Sequence, residues 1–248
     1  MSADYYVRLE QGRLRNVSGA IVDAVATALR LDEAERTHLH NLARPARQVR
    51  RAGRPQQRVR PSQQWLLDAL CGAPAYILGR GLDILAWNDL ASALYAVDLG
   101  ALAPERRNMA RLIFLDEGVR NLWADWEGKA LITLGGLRMH AGLYPDDPRL
   151  AALVGELSLK SPEFRRWWAD HPVWRRTHGD VRFHHPVVGD LTLAYEAMAL
   201  PDSPDLSLVT YTAQPGSAAE AAVHALAGRS AGPTRQDVTR RDHPIAAR

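Results

Sequence analysis

Residues 178–213 read HGDVRFHHPVVGDLTLAYEAMALPDSPDLSLVTYTA, and here the periodicity of the chain changes. Val181 to His184, Leu191 to Leu200 and Leu206 to Ala213 alternate or run apolar between glycine, proline and aspartate turns, which predicts an antiparallel hairpin or meander. Working back along the chain, Ala75 to Leu78 and Leu82 to Trp87 read as two more short strands about a Gly79–Gly81 turn. Early and late strands can share one sheet with helices against one face. The fold class expected is therefore α+β.

Helices fill the space between the two groups of strands. Gln63 to Leu70 reads as helix, and Asn88 is placed to cap a helix ending near Tyr95. Met109 to Trp126 carries apolar groups at three- and four-residue steps, which predicts one long helix with a break at Gly118. Ala130 to His140 and Leu150 to Leu159 are helical, and Ser161-Pro162 opens another helix by cap and N1 proline. Ala218 to Leu226 is a closing helix, and the polar, proline-containing stretch from Gly228 reads as a disordered tail.

The N-terminal part is different in kind. Ser2 is the expected cap of a short helix reaching Leu9, stopped by Gly12. Ser18 is the next expected cap, with Ile21, Val22, Val25, Ala28 and Leu29 forming one apolar stripe. Asp32 with Glu35 has capping-box spacing and opens a third helix. Ala43 to Pro61 is rich in arginine, glutamine and proline, the composition of a linker. The divisions expected are 1–43 helical, 44–61 basic linker, 62–227 sheet and helices, and 228–248 tail.

Among 248 residues, 46% are hydrophobic and 24% charged, ample for a globular core. No eighteen apolar residues run together, so a membrane span is not expected, and Met1 to Tyr6 lacks the apolar stretch of a secretory signal. The single cysteine, Cys71, makes neither an internal disulfide nor a multi-cysteine zinc site. A cytoplasmic protein is expected. The net charge of +3 hides an asymmetry: residues 1–60 carry +6 and the remainder −3, with seven arginines and no acid between Arg44 and Arg60. A basic part beside a mildly acidic one suits a polyanion-binding module joined to something else. The linker arginines add phosphate contacts or simply keep a solvated segment extended; their charge alone does not choose between these.

Catalytic patterns are missing from the sequence. There is no His-Glu-x-x-His, no Gly-x-Ser-x-Gly, and Gly79-Arg80-Gly81 and Gly135-Gly136 lack the length and lysine of a phosphate loop. His184 and His185 are adjacent on a strand and point to opposite faces, so they do not converge on a metal. No catalytic residue, metal or cofactor is expected.

Asp4-Tyr5-Tyr6-Val7-Arg8-Leu9-Glu10-Gln11-Gly12-Arg13 resembles the recognition helix and following turn of lambda-repressor-like (XRE-type) helix-turn-helix regulators. It is similar in particular to those whose C-terminal half is a MmyB-like ligand-binding domain. The likeness continues through Ala26-Thr27-Ala28-Leu29, the stretch Glu35 to Ala43, Tyr76 to Asn88, and Arg107-Asn108-Met109-Ala110-Arg111-Leu112-Ile113-Phe114. It resumes at Leu153 to Leu157, Ser161-Pro162-Glu163-Phe164, His184 to Gly189 and Ala213 to Ser217. The resemblance implies an incomplete helix-turn-helix domain followed by a PAS-like sensory domain with an apolar pocket between sheet and helices. It also implies a small hydrophobic, fatty-acid-like ligand and operator DNA bound by a homodimer. A complete helix-turn-helix domain has two helices before the recognition helix, and this chain starts at the recognition helix.

By match to the family pattern, Ser2, Ala3, Asp4, Tyr6 and Val7 lie on or near the DNA-facing side, and Arg8 and Arg13 meet phosphate. An Asp4–Arg8 surface pair is the competing reading. Tyr76, Trp87, Phe114, Trp123, Leu134 and Met139 are large apolar groups on the elements expected around the pocket. Arg138 and His184 are the candidates to hold a polar headgroup, because a buried carboxylate needs a charged or hydrogen-bonding partner. Plain core packing competes with ligand contact for each of these residues. Two other functions stay open: a sensory and dimerisation protein without DNA binding, and a small-molecule carrier.

Overall fold

The computed structural model describes residues 18–32, 35–36, 39–40, 43, 57–170, 177–201 and 203–230. Within them the elements run α1 (Gly19–Ala28), α2 (Pro61–Ala69), β1 (Ala75–Leu78), β2 (Ile84–Trp87), α3 (Asp89–Leu94), α4 (Met109–Leu115), α5 (Glu117–Leu122), α6 (Trp126–Leu143), α7 (Pro148–Lys160), α8 (Pro162–Ala169), β3 (His178–His185), β4 (Gly189–Leu200), β5 (Ser203–Thr212) and α9 (Ala218–Ser230). The five strands form one antiparallel sheet in the order β2-β1-β5-β4-β3. The early pair and the late meander meet where β1 lies beside β5, Tyr76 opposite Val209. This is a mixed α+β architecture consistent with a PAS-like domain.

Strand alternation sorts side chains onto two faces. Tyr76, Ile84, Phe183, Leu191, Leu193, Tyr195, Val209 and Tyr211 bury on the inner face with α3 to α9. Ala75, Ile77, Ala86, Leu206 and Leu208 bury on the outer face, where Leu67 of α2 covers them. Helices therefore lie on both faces rather than one, though the larger layer is inside.

Two buried asparagines tie the layers together. Asn88 Oδ1 accepts from the backbone N–H of Ala91, capping α3, and from that of Ala75 on β1, each at 3.0 Å. Its amide donates to the carbonyls of Leu67, Leu70 and Ala73 at the end of α2. Asn108 caps α4 through Arg111 N–H and donates to Gly81 O at 2.7 Å and Asp83 at 2.8 Å. Each side chain satisfies backbone groups that a helix end or turn would otherwise leave orphaned.

Three expectations need correction. The run from Met109 to Trp126 is not one helix. It breaks at Asp116, not Gly118, with Asp116 extended and its carboxylate accepting from Val119 N–H. A second break follows at Trp123, which bridges to Phe183 while Ala124 N–H donates to Arg182 O. The chain leaves the helix there to pair with the edge strand β3. Ser18 begins α1, but its hydroxyl makes no capping bond. The apolar stripe on α1 is also rotated: Val22, Val25 and Ala26 are buried, whereas Leu29 is exposed. The Asp32–Glu35 box does form, each backbone N–H donating to the other's carboxylate. The expected DNA-facing residues Ser2, Ala3, Asp4, Tyr6, Val7, Arg8 and Arg13 lie outside the described residues.

Candidate ligand-binding site

Between the inner sheet face and the helices lies a core dense in aromatic rings, and its polar atoms fall into two groups. The first is a ring of three phenols. Tyr76 comes from β1, Tyr211 from β5 and Tyr95 from the residue closing α3. Their hydroxyl oxygens stand 3.1 Å (Tyr76–Tyr95), 3.2 Å (Tyr76–Tyr211) and 2.9 Å (Tyr95–Tyr211) apart. All three are buried, and burial pushes each phenol's pKa upward, so each stays neutral. In a closed triangle each hydroxyl donates once and accepts once, leaving one lone pair per oxygen for a further donor.

Trp123 abuts this ring, edge-on to Tyr95 at 5.9 Å and against Phe183 at 4.6 Å between ring centroids. Its indole N–H is buried and has no hydrogen-bond partner. Lys129 places its ammonium 4.6 Å from the centroid of the same indole ring. By contrast the indole N–H of Trp126 donates to Ile113 O at 2.9 Å. Buried donors are nearly always paired, so the orphan at Trp123 is an exception in this core.

The second group centres on Arg138 of α6. The residue is 6% exposed; its guanidinium stacks on Trp168 at 4.5 Å and donates through Nη2 to Trp168 O at 2.6 Å and Trp167 O at 3.4 Å. Those carbonyls end α8, where the helix dipole is negative. No carboxylate balances the charge among the described residues, and burial lowers the pKa of the group. The Nε–H is buried without a partner. Phe114, Trp126, Phe164 and Trp167 pack edge-to-face and tilted against one another.

Of the residues singled out from sequence, Tyr76, Phe114, Trp123 and Leu134 belong to one continuous buried core, and Arg138 is buried beside it. Trp87 is half-buried at the rim, under the guanidinium of Arg107, and lines an open groove of ≈ 380 Å³ with Asp68, Cys71 and Asp89. Met139 is half-buried. His184 is not brought to the core. It is exposed on the outer face and pairs with Asp190 at 2.7 Å. Its neighbour His185 is the buried one, with Nε2 donating to Ala93 O and Nδ1 accepting from Val187 and Val188. The alternation Val181, Phe183, His185 carried that signal, as the alternation on β4 and β5 did for Tyr195 and Tyr211. Tyr95 had none beyond its place at a helix end. Among the described residues no cluster of histidine, cysteine and carboxylate side chains could hold a metal ion, and no helix is long and apolar enough to cross a membrane.

The model of the MmyB-like transcription regulator ligand binding domain matches residues 59–227. The chain belongs to that family. The match starts just before α2 and ends within α9, so it takes in the whole sheet, both asparagine ties and the aromatic core. As a MmyB-like domain this part of the chain is a regulatory module rather than a catalytic one. Comparison with curated proteins finds no match.

Proposed function

We propose that the chain is a DNA-binding transcriptional regulator that senses a small hydrophobic, fatty-acid-like molecule through its MmyB-like domain. On this reading residues 1–43 are a helix-turn-helix part and 44–61 a basic linker. Residues 62–227 are the sensory domain, and the protein works as a cytoplasmic homodimer on operator DNA. The observation that carries the sensory half is the pair of unsatisfied donors, Trp123 Nε1 and Arg138 Nε, buried in the aromatic core of a domain from a ligand-binding family. An amphiphile with an acceptor headgroup supplies what those donors lack, and its tail suits the apolar walls. The +6 charge of residues 1–60 supports the DNA half.

The mechanism is a population shift. A ligand that binds one arrangement of the sensory domain more tightly than another changes how two DNA-reading helices are spaced. Native mass spectrometry of the purified 248-residue chain tests this reading, since it reports subunit number and retained small molecules together. A dimer with a reproducible apolar adduct, followed by selection of a DNA sequence from a random pool, is the expected result. A bare monomer that selects no DNA overturns the reading. An adduct without DNA selection points instead to a sensory and dimerisation protein.

A further inference from the structure

Gln57 precedes the matched domain by two residues, and its side chain is held in a seat built from three separate parts of the fold. Its Oε1 accepts from the backbone N–H of Arg80 at 2.8 Å, and its Nε2 donates to Asp205 O at 3.3 Å. Gly79 makes the seat possible, because a Cβ there would stand 2.7 Å from Gln57 Oε1 and 2.7 Å from Leu85 Cδ1. Arg80 and Asp205 form a partly buried pair, with guanidinium Nε 2.9 Å and Nη2 2.5 Å from one carboxylate oxygen. The other carboxylate oxygen accepts from the hydroxyl of Tyr144, whose ring lies 4.5 Å from the Arg80 guanidinium.

Tyr144 closes α6, the helix that carries Leu134 and Arg138 into the core. The same helix grips the turn of the seat from the side: Leu82 packs on Gly136, where a Cβ would meet it at 3.5 Å. His140, between Arg138 and Tyr144, is half-buried, with a buried and unpartnered Nδ1, and faces the charges of Asp205 and Arg80. One rigid helix therefore touches the aromatic core at its middle and the Gln57 seat at its end.

We propose that this seat is the output joint of the sensory domain: displacement of α6 at Leu134 and Arg138 loosens Tyr144 and the turn from Gly79 to Leu82, and so releases the Gln57 side chain. The inference rests on the reading of the aromatic core as the ligand site. The physical warrant is contiguity through a single helix, hydrogen-bonded by Arg138 along its length and by Tyr144 at its end, and direct measurement of coupling is what decides it.

The Arg80 amide reports the state of the seat, since it is protected by Gln57. Hydrogen exchange at that amide is measured on the full chain for wild type, Gln57→Ala, Tyr144→Phe, Leu134→Val and Met198→Val, the last an exposed outer-face control. Gln57→Ala and Tyr144→Phe should raise exchange at Arg80 by about fivefold, the scale of one hydrogen bond's net free energy. Leu134→Val, in the buried core ten residues before Tyr144, should raise it in the same direction, and the Gln57→Ala background should abolish that increment. Met198→Val should leave it unchanged. Tryptophan fluorescence and thermal melts confirm that each variant is folded; if Leu134→Val is not, Leu134→Met replaces it. A folded core variant that leaves Arg80 exchange at the wild-type rate overturns the proposal. Because no ligand enters the experiment, the joint can stand even if native mass spectrometry finds no adduct, and the sensory reading can stand if the joint fails.

Discussion

The rings of Trp123 and Phe183 meet at a 42° tilt with centroids 4.6 Å apart, and their backbones form an isolated antiparallel bridge. The interruption between α5 and α6 and the edge of the sheet at β3 are thus one feature. A helix continued through Trp123 would lose both the bridge and the ring contact with Phe183.

Trp123→Phe tests whether the orphan donor is wanted by a ligand or merely tolerated. The substitution removes an unsatisfied buried N–H, worth about 1–3 kcal/mol in favour of the variant, against the packing lost with the smaller ring. Urea titration should therefore find stability close to wild type. Retention of the apolar adduct in native mass spectrometry should fall. Loss of stability with unchanged retention would assign Trp123 to packing alone.

The phenol triangle predicts an alkaline limit. Burial raises the folded-state pKa of Tyr76, Tyr95 and Tyr211 above the ordinary value near 10. An acid held in its neutral form contributes stability that is fully present below its unfolded pKa and is lost as pH rises beyond it. Unfolding free energy should fall above pH ~10, and tyrosinate absorbance from these three residues should appear only together with loss of tertiary signal. Tyr95→Phe breaks two of the three bonds and should cost about 1–2 kcal/mol at neutral pH.

Asn88→Ala should be among the most damaging polar substitutions in the domain. It orphans the N–H of Ala75, leaves the N–H of Ala91 with only its backbone bond to Asn88 O, and removes the donor shared by the carbonyls of Leu67, Leu70 and Ala73. A cost of about 3 kcal/mol or more is expected from the cap and the buried groups together. Asn88→Asp should not rescue it, because a carboxylate cannot donate to those carbonyls. Denaturant melts of the two variants check both statements.

Acid sensitivity should trace to His140. Burial lowers its pKa below the ordinary value near 6.5, with Arg80 adding to the effect and Asp205 opposing it. A base held neutral contributes stability present above its unfolded pKa and lost as pH falls through the folded one. Titrating from about pH 7 downward should weaken the wild type, and His140→Gln should flatten the upper part of that profile. The remaining slope should belong to carboxylates such as Asp205, whose pKa its partners Arg80 and Tyr144 hold down against the opposing effect of its burial.

Local chemistry alone announced the strands and most helix ends. The period-two runs around Phe183, Leu193 and Tyr211 need only alternation to be read, and Asn88, Asn108 and Ser161 cap by bonds spanning three residues. The family likeness in the second part was equally legible in the sequence, and the match over 59–227 bears out its MmyB-like half. The aromatic core was partly legible: Tyr76, Phe114, Trp123, Leu134 and Arg138 are large or charged groups on helices and strands that had to pack inward.

What remained hidden depends on residues far apart along the chain. The hydroxyls of Tyr76 and Tyr211 meet across 135 positions and those of Tyr95 and Tyr211 across 116, separations over which no local periodicity carries information. The second break before α6 exists because β3 offers Trp123 a backbone partner, which only the assembled sheet provides. That Arg138 meets no carboxylate among the described residues, that His185 rather than His184 is buried, and that Gln57 is seated on Arg80 and Asp205 were likewise decided by tertiary packing. Sequence specified the elements and the side chains available; desolvation and hydrogen-bond satisfaction in the folded chain decided which of those side chains meet, and left Trp123 Nε1 and Arg138 Nε buried without a hydrogen-bond partner.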